Sequence, residues 1–173
     1  MGESGRQSPA LPGFRWPTRV FFDELDAMGM MHNTRYVVLL ERASSAFFEA
    51  GGWRWERDPV LNPDQHYVVS EQTIRYLEPV RGPGELSVVM WVARLGETSV
   101  TFRFEVRSPD DRRVHATAER VHVKLDLVTF QPVPWTPRLR DQLMTLVRPA
   151  SRASQPDATR RPAGAGSGTG RRA

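Results

Sequence analysis

Hydrophobic and polar residues alternate along five stretches of the chain, which is the pattern of β-strands that bury one face. The first stretch contains Phe14, Trp16 and Val20, with Pro17 between them. Because proline has no backbone N–H to donate inside a sheet, this stretch is predicted to be an edge strand. The other four stretches follow one another: residues 66–80, residues 85–95, a run with Val100, Phe102, Phe104 and Val106, and a run that ends with Val121, Val123, Leu125 and Leu127. Short turns rich in Gly, Pro and Asp separate them and predict antiparallel hairpins.

The segment between the first and second predicted strands has the spacing of a helix instead of the alternation of a strand. Its apolar positions recur three or four residues apart: Tyr36, Leu39, Leu40, Ala43, Phe47 and Ala50. Further apolar residues widen this face beyond the stripe of a surface helix, so we predict a buried helix. Asn33 or Thr34 is a suitable N-cap, and Gly51-Gly52 is a signal for the C-terminus. A short closing helix is predicted over residues 136–147, with Pro137 in its first turn.

The order of elements is therefore one strand, one long helix and four strands. A five-stranded antiparallel sheet must cover its apolar face, and only one long helix is available to cover it. We predict an α+β protein with the hot-dog architecture, a sheet wrapped around one long central helix. The exposed edge strands predict that two or more copies associate through a sheet edge.

The composition fits a single domain of this kind. The chain has 173 residues, 39% of them hydrophobic, and no cysteine, which excludes disulfides and thiolate metal sites. There is no apolar run of about 18 residues for a membrane span and no apolar core of a secretory signal, so we expect a cytoplasmic protein. We predict a disordered leader over residues 1–13, a folded domain over residues 14–148 and a disordered tail over residues 149–173, because both ends consist largely of small, polar and proline residues.

The net charge of +4 comes from the predicted tail. After residue 150 the chain has five arginines and one aspartate, while the preceding part has equal numbers of acidic and basic residues. A nucleic-acid partner is therefore not expected, because a binding surface would place the excess charge on the folded domain. A role for the tail in binding anionic surfaces stays an alternative.

One loop contains residues whose chemistry suits catalysis. Asp26 follows the first strand, and Gly29 lets the loop turn before the long helix begins. The first N–H groups of a helix lack intrahelical acceptors and form the positive end of its dipole. A carbonyl held there is polarised, and a nearby carboxylate can attack it or activate a water. This combination predicts hydrolysis of an ester or thioester, with Asp26 as nucleophile or general base.

Other carboxylates and a purely structural role compete with this interpretation. Asp26 could merely cap its turn. Asp23 and Glu24 look like surface charges at the end of a strand. Glu41, two turns into the helix, is a rival catalytic acid, or else forms a polar contact together with Arg42.

The residues around Asp26 closely resemble the 4-hydroxybenzoyl-CoA thioesterase family, and most closely its acyl-CoA thioesterase branch associated with the Tol–Pal system. The family pattern is Asp-x-Asp-x-x-Gly-x-x-x-(Asn or His)-x-x-Tyr followed by Glu-Arg-Ala. The chain matches this pattern at residues 14–29, Tyr36 and residues 41–43. Weaker matches to the family continue through residues 73–80, 84–88, 96–102 and 118–126. The sequence departs from the pattern at Glu24, which replaces the first Asp, and at Met30-Met31, which suit an adaptable apolar pocket.

The resemblance implies a role for each matching residue. Asp26 would be the catalytic carboxylate, and the backbone N–H of Asn33 would polarise the thioester carbonyl. Four residues would line the substrate site beside them: Gly29, Met31, His32 and Tyr36. Exposed arginines would hold the nucleotide end of CoA, with Arg75, Arg81, Arg94 and Arg103 as candidates.

The same resemblance bears on substrates, partners and cofactors. It implies an acyl-CoA or acyl-carrier-protein thioester as the substrate, no metal or redox cofactor, and an active site at the interface of a homodimer or homotetramer. The acyl group stays open. Two rival functions also remain. A hydratase or dehydratase of the same fold would need an Asp-x-Asn-x-x-His pattern, but Met28 replaces the Asn and His32 comes one residue late. The other rival is a protein that binds thioesters without catalysis.

Overall fold

The computed structural model describes residues 13–148. The predicted leader, except Gly13, and the whole predicted tail over residues 149–173 lie outside the described residues. Within this range the chain forms five strands and two α-helices. In chain order these are β1 (Phe14–Val20), α1 (Asn33–Ala50), β2 (Tyr67–Tyr76), β3 (Gly84–Leu95), β4 (Ser99–Arg107), β5 (Val114–Lys124) and α2 (Pro137–Met144). Single 3-10 turns occur at Phe22–Glu24 and Pro63–Gln65.

The strands form one antiparallel sheet in the order β1-β3-β4-β5-β2. The strands β1 and β2 are therefore its two edges. Pro17 lies on β1, opposite Ser87 of β3, so the predicted edge position of the strand that contains this proline is confirmed. The predicted α+β fold, a five-stranded antiparallel sheet with one long helix, is also confirmed. No helix among residues 13–148 is both long and apolar enough to cross a bilayer.

The core forms where α1 lies against the sheet. The helix buries one face, made of Tyr36, Leu39, Leu40, Ala43, Ser44 and Phe47. The sheet contributes the alternating residues of two central strands: Leu86, Val88, Met90 and Val92 from β3, and Val100, Phe102, Phe104 and Val106 from β4. The alternation predicted from the sequence therefore defines the buried face of both strands.

The ends of the helix correct one detail of the prediction. The helix begins at Asn33, but its N-cap is His32, whose Nδ1 accepts the backbone N–H of Thr34 at 3.3 Å. The expected caps, Asn33 and Thr34, are instead the first two helical residues, because the imidazole supplies the acceptor. At the other end Gly51 and Gly52 terminate the helix as expected, and Gly52 has φ of +79°.

The strand β5 buries its polar face. Arg120, His122 and Lys124 are 1%, 1% and 6% exposed, whereas the alternating Val121 and Val123 are only half-buried on the other face. The buried side chains of β5 have partners on other segments, because Arg120 pairs with Glu41 of α1 and Lys124 pairs with Asp64. These ion pairs explain why polar residues point inward on this strand.

The strand β2 ends at Tyr76, four residues before the predicted end. The N–H groups of Leu77 and Glu78 both donate to the carbonyl of His115, so the chain leaves the sheet at this point. The carbonyl of Val80 then accepts the N–H of Met31 at 2.9 Å. The connection after β2 is thereby held against the loop that precedes α1.

Candidate active site

The loop between β1 and α1 is fixed by its own backbone hydrogen bonds. The N–H of Asp26 donates to the carbonyl of Met30 at 2.7 Å, and the N–H of Gly29 donates to the carbonyl of Asp26 at 3.0 Å. Gly29 has φ of +69°, a conformation that side chains other than glycine rarely adopt. The carbonyl of Gly29 accepts the N–H of Gly82, which ties the loop to the turn before β3.

The two carboxylate oxygens of Asp26 have different surroundings. Oδ1 accepts the backbone N–H groups of Met28 at 2.8 Å and Met30 at 3.0 Å. Within residues 13–148, Oδ2 accepts no hydrogen bond, and the side chain is only half-buried. The expected turn-capping role of Asp26 is therefore present, but it occupies one oxygen and leaves the other available for chemistry.

The start of α1 faces the same space. Asn33 is the first helical residue, so its N–H has no acceptor inside the helix. No acceptor for this N–H is found elsewhere in the part of the chain that the structure describes. His32, which is exposed, directs Nδ1 toward Thr34 rather than toward Asp26. The helix thus presents a free donor and the positive end of its dipole.

A cavity of about 480 Å³ connects these groups. Its lining consists of Asp26, Met30, Met31, His32, Asn33, Tyr36, Tyr76, Leu77, Glu78 and Pro79. The rings of Tyr36 and Tyr76 meet edge to face, with centroids 5.0 Å apart, and the hydroxyl of Tyr76 donates to the carbonyl of Asn33 at 3.4 Å. Burial, together with the neighbouring Tyr76, raises the pKa of Tyr36, so its hydroxyl stays neutral. The cavity therefore combines one carboxylate and one helix terminus with a largely apolar wall.

The structure brings together some of the residues singled out in the sequence. Met31, His32 and Tyr36 line the cavity with Asp26 and Asn33, and Gly29 shapes the loop. Arg81 is exposed and close by, because it forms a β-bridge with Met30.

The three other candidate arginines do not line this cavity within one chain. Arg75 alternates with Tyr76 and therefore points to the opposite face of β2. Arg94 is ten residues along β3 from Gly84, which puts it about 33 Å from the site end of that strand. Arg103 is engaged with Glu119, with its Nε 2.8 Å from the carboxylate. We therefore retain only Arg81 as a candidate for contacting the nucleotide end of a substrate.

The rival carboxylates have other partners. Glu24 is 5% exposed, which corrects its interpretation as a surface charge, and its Oε2 accepts the N–H of Phe21 at 3.0 Å. Glu41 pairs with Arg120 rather than Arg42, at 2.7 Å, and does not line the cavity. Asp23 is exposed and outside the lining. Among residues 13–148, no three His, Asp or Glu side chains converge on a point that could hold a metal ion.

Sequence reasoning missed the second wall of the cavity. Tyr76, Leu77 and Glu78 belong to a matched motif, but their proximity to Asp26 follows only from the pairing of β2 with β5 and from the bond between Val80 and Met31. The sole signal in the sequence was the position of this motif directly after a predicted strand.

Several known proteins are similar to this chain in sequence or in fold. The acyl-CoA thioester hydrolase YbgC of Escherichia coli is 24% identical to the chain over 119 residues, which are 69% of this chain and 87% of that protein. A solved structure of a Pseudomonas aeruginosa protein aligns with a TM-score of 0.69 and 23% identity, over 82% of this chain and 100% of the other. A Thermus thermophilus thioesterase solved with coenzyme A and zinc aligns with a TM-score of 0.62 and 24% identity, over 80% and 97%.

The structural likenesses confirm the predicted hot-dog fold. The profile of the thioesterase-like superfamily matches residues 20–143, a span that contains the whole cavity. The resemblance inferred from the Asp26 motif is thereby confirmed, and the chain belongs to the thioesterase-like superfamily.

Proposed function

We propose that the protein is a cytoplasmic enzyme that hydrolyses acyl-CoA thioesters to the free acid and the CoA thiol, with Asp26 as its catalytic carboxylate. One observation carries this proposal: Oδ2 of Asp26 and the N–H of Asn33 border the same cavity and are both without a partner within residues 13–148. Esters and thioesters react when a carbonyl is polarised on one side and attacked on the other. The name of the E. coli relative indicates the same chemistry.

The reaction can proceed by two routes that use the same groups. In one, Oδ2 of Asp26 attacks the carbonyl carbon, the C–S bond breaks, and the thiolate leaves; water then cleaves the resulting mixed anhydride and regenerates the carboxylate. In the other, Asp26 accepts a proton from a water that attacks the carbonyl, and the thiol leaves with a proton. In both routes the N–H of Asn33 and the helix dipole stabilise the negative charge on the carbonyl oxygen.

The remaining walls suit the two ends of such a substrate. Met30, Met31 and Leu77 offer a flexible apolar surface for the acyl group or the pantetheine arm. Arg81 is exposed beside the cavity and can contact phosphate groups. Because CoA and acyl carrier proteins share the phosphopantetheine arm, both kinds of thioester fit this part of the site.

We further propose a homodimer that forms through β2. Two edges are available, but Pro17 removes a donor from β1. The edge at β2 is longer, and its exposed residues include Val68 and Val69, which are 46% and 43% exposed. An exposed apolar strand edge is a template for pairing with a second copy.

Thiol release from a panel of acyl-CoAs tests the activity. The proposal expects wild-type protein to release CoA thiol from at least one saturated acyl-CoA, with the free acid as the other product. Addition of water to an enoyl-CoA without thiol release would instead support a hydratase. Tight binding of acyl-CoAs with no turnover would support a binding protein and contradict the proposal.

A further inference from the structure

Glu78 places a second carboxylate in the wall of the cavity that contains Asp26. The residue is exposed, and within residues 13–148 its carboxylate takes part in no hydrogen bond or ion pair. The reaction proposed above uses Asp26 and gives the charge of Glu78 no role.

The backbone around Glu78 is held in place on both sides. Its N–H donates to the carbonyl of His115 at 3.1 Å, and its own carbonyl lies 3.4 Å from Nδ1 of this buried histidine. Pro79 follows and favours an extended conformation at Glu78. The carbonyl of Val80 then accepts the N–H of Met31 at 2.9 Å, in the connection that leads into α1. These contacts hold Glu78 beside the start of the helix.

The lining of the cavity has two negatively charged side chains and no permanently positive one. Asp26 and Glu78 are its two carboxylates, and no Lys or Arg among residues 13–148 belongs to it. His32 is the one lining residue whose side chain can become positive, and its Nδ1 is engaged with Thr34. The N-terminus of α1 is also positive, but in the proposed reaction it binds the carbonyl oxygen of the thioester. A negative charge on the acyl group therefore meets two carboxylates without a counter-ion in the lining.

The dimensions of the cavity allow this repulsion to act throughout it. A sphere with the volume of the cavity would be about 10 Å across, which is also about the Debye length at 0.1 M ionic strength. A charge on a bound acyl group is therefore only partly screened from both carboxylates. Because the wall is largely apolar and a bound substrate displaces water, the charges interact more strongly there than in bulk solvent.

We propose that Glu78 determines which acyl groups the site accepts: its carboxylate disfavours acyl groups that carry a negative charge and favours neutral or positively charged ones. This inference rests on the proposed hydrolase function and narrows its substrate class to thioesters of monocarboxylic acids, including protonated amino acids, as opposed to dicarboxylic acids. Glu78 selects the substrate through its charge and takes no part in breaking the C–S bond.

Acyl-CoAs that differ in charge but little in shape test this assignment. Malonyl and isovaleryl groups have the same branching and form an anionic and neutral pair, while β-alanyl and butyryl groups form a cationic and neutral pair. Glu78→Gln removes the charge and keeps the size of the side chain. It should raise kcat/KM for malonyl-CoA relative to isovaleryl-CoA about fivefold, and should lower kcat/KM for β-alanyl-CoA relative to butyryl-CoA by a similar factor.

Two further variants separate the effect of charge from an effect on structure. Glu78→Asp keeps the carboxylate and should keep most of the wild-type discrimination in both pairs. Glu49→Gln makes the matched change at an exposed position near the other end of α1, outside the cavity, and should leave both ratios unchanged. Because salt screens charges that solvent can reach, an increase from about 0.05 M to about 0.5 M salt should shrink the effect of Glu78→Gln.

Three outcomes would overturn the assignment. The first is a wild type that hydrolyses malonyl-CoA as efficiently as isovaleryl-CoA. The second is a Glu78→Gln variant with both wild-type ratios, and the third is an equally large change of these ratios in Glu78→Asp. A wild type that hydrolyses no thioester at all contradicts the proposed function itself, so the two failures are distinguishable.

Discussion

Nζ of Lys124 lies 2.6 Å from Oδ1 of Asp64, and neither side chain is substantially exposed to solvent. This ion pair joins β5 to the turn at Pro63–Gln65, and Asp64 also accepts the N–H and the hydroxyl of Thr136, the N-cap of α2. One carboxylate thus connects three segments, namely β5, the turn at Pro63–Gln65 and the start of α2. Removal of one partner of a buried ion pair destabilises a protein mainly because the remaining charge stays buried without a counter-ion.

Removal of one partner of this pair should therefore cost more than removal of both charges. Lys124→Met leaves the carboxylate of Asp64 buried without a cation and should lower the free energy of unfolding by about 3 kcal/mol. Lys124→Met combined with Asp64→Asn removes the charge and keeps an acceptor for Thr136, so it should recover a large part of this loss. Urea denaturation of both variants measures the effect. A double variant no more stable than Lys124→Met would contradict this account.

His122 should make the protein lose stability in mild acid. Burial, aided by the positive charge of Arg120, lowers the pKa of His122 to about 3. Neither ring nitrogen has a hydrogen-bond partner within residues 13–148, and the ring stacks on Tyr67 with centroids 4.6 Å apart. The unfolded chain binds a proton near pH 6.5 and the folded chain does not, so stability falls as pH decreases from about 6.5 toward 3.

The expected loss from this one group between pH 7 and pH 5 is about 2 kcal/mol. His122→Phe keeps a ring in the stack and removes the titrating group, so its stability should depend less on pH over that range. Urea midpoints of both proteins at pH 7 and pH 5 give the comparison. Equal pH dependence in the two proteins would show that His122 is not responsible.

The contrast between β4 and β5 shows how far the sequence predicts the fold. In β4 the apolar residues, such as Phe102 and Phe104, face a core made of other apolar side chains, so alternation alone identifies the buried face. In β5 the same alternation occurs, but the polar residues are buried because Glu41 and Asp64 provide partners from distant segments. A pattern along one strand contains no information about those partners.

The candidate site likewise combines features that the sequence predicts with features that depend on distant segments. Asp26, Gly29 and Asn33 are close in sequence, and a strand followed by a helix is enough to place them around one space. The wall formed by Tyr76 depends on which strand pairs with β5. The distance of Arg94 from Asp26 depends on the direction of β3 relative to β1. His32 was an unexpected N-cap because imidazole seldom takes this role, which Ser, Thr, Asp and Asn fill more often.

Charges on the edge of β2 should separate the proposed dimer. Val68→Lys combined with Val69→Lys places two ammonium groups on the edge that would pair with a second copy. Analytical ultracentrifugation should find a dimer for the wild type and a smaller species for this variant. Met144→Lys, a change of an exposed residue on α2, should remain dimeric. A double variant with the wild-type sedimentation profile would rule out this edge as the interface.

A proline at the start of α1 tests the proposed electrostatic role of the helix. Asn33 is at the first helical position, where proline is well tolerated, and His32 has the extended ψ of 137° that precedes proline. Asn33→Pro should keep the helix but remove the N–H, and should lower kcat by about 100-fold. Asn33→Ala keeps the N–H and should retain most of the activity. Equal kcat for the two variants would argue against a role for this amide.

The role of Asp26 is tested most directly by kcat for acyl-CoA hydrolysis in the Asp26→Asn variant. The amide oxygen of asparagine can still accept from Met28 and Met30, so the loop should keep its shape while the attacking carboxylate is lost. Asp23→Asn is the matched control at an exposed neighbouring position. We expect kcat to fall at least about 100-fold in Asp26→Asn and to stay near the wild-type value in Asp23→Asn. A fully active Asp26→Asn enzyme would contradict the proposed mechanism.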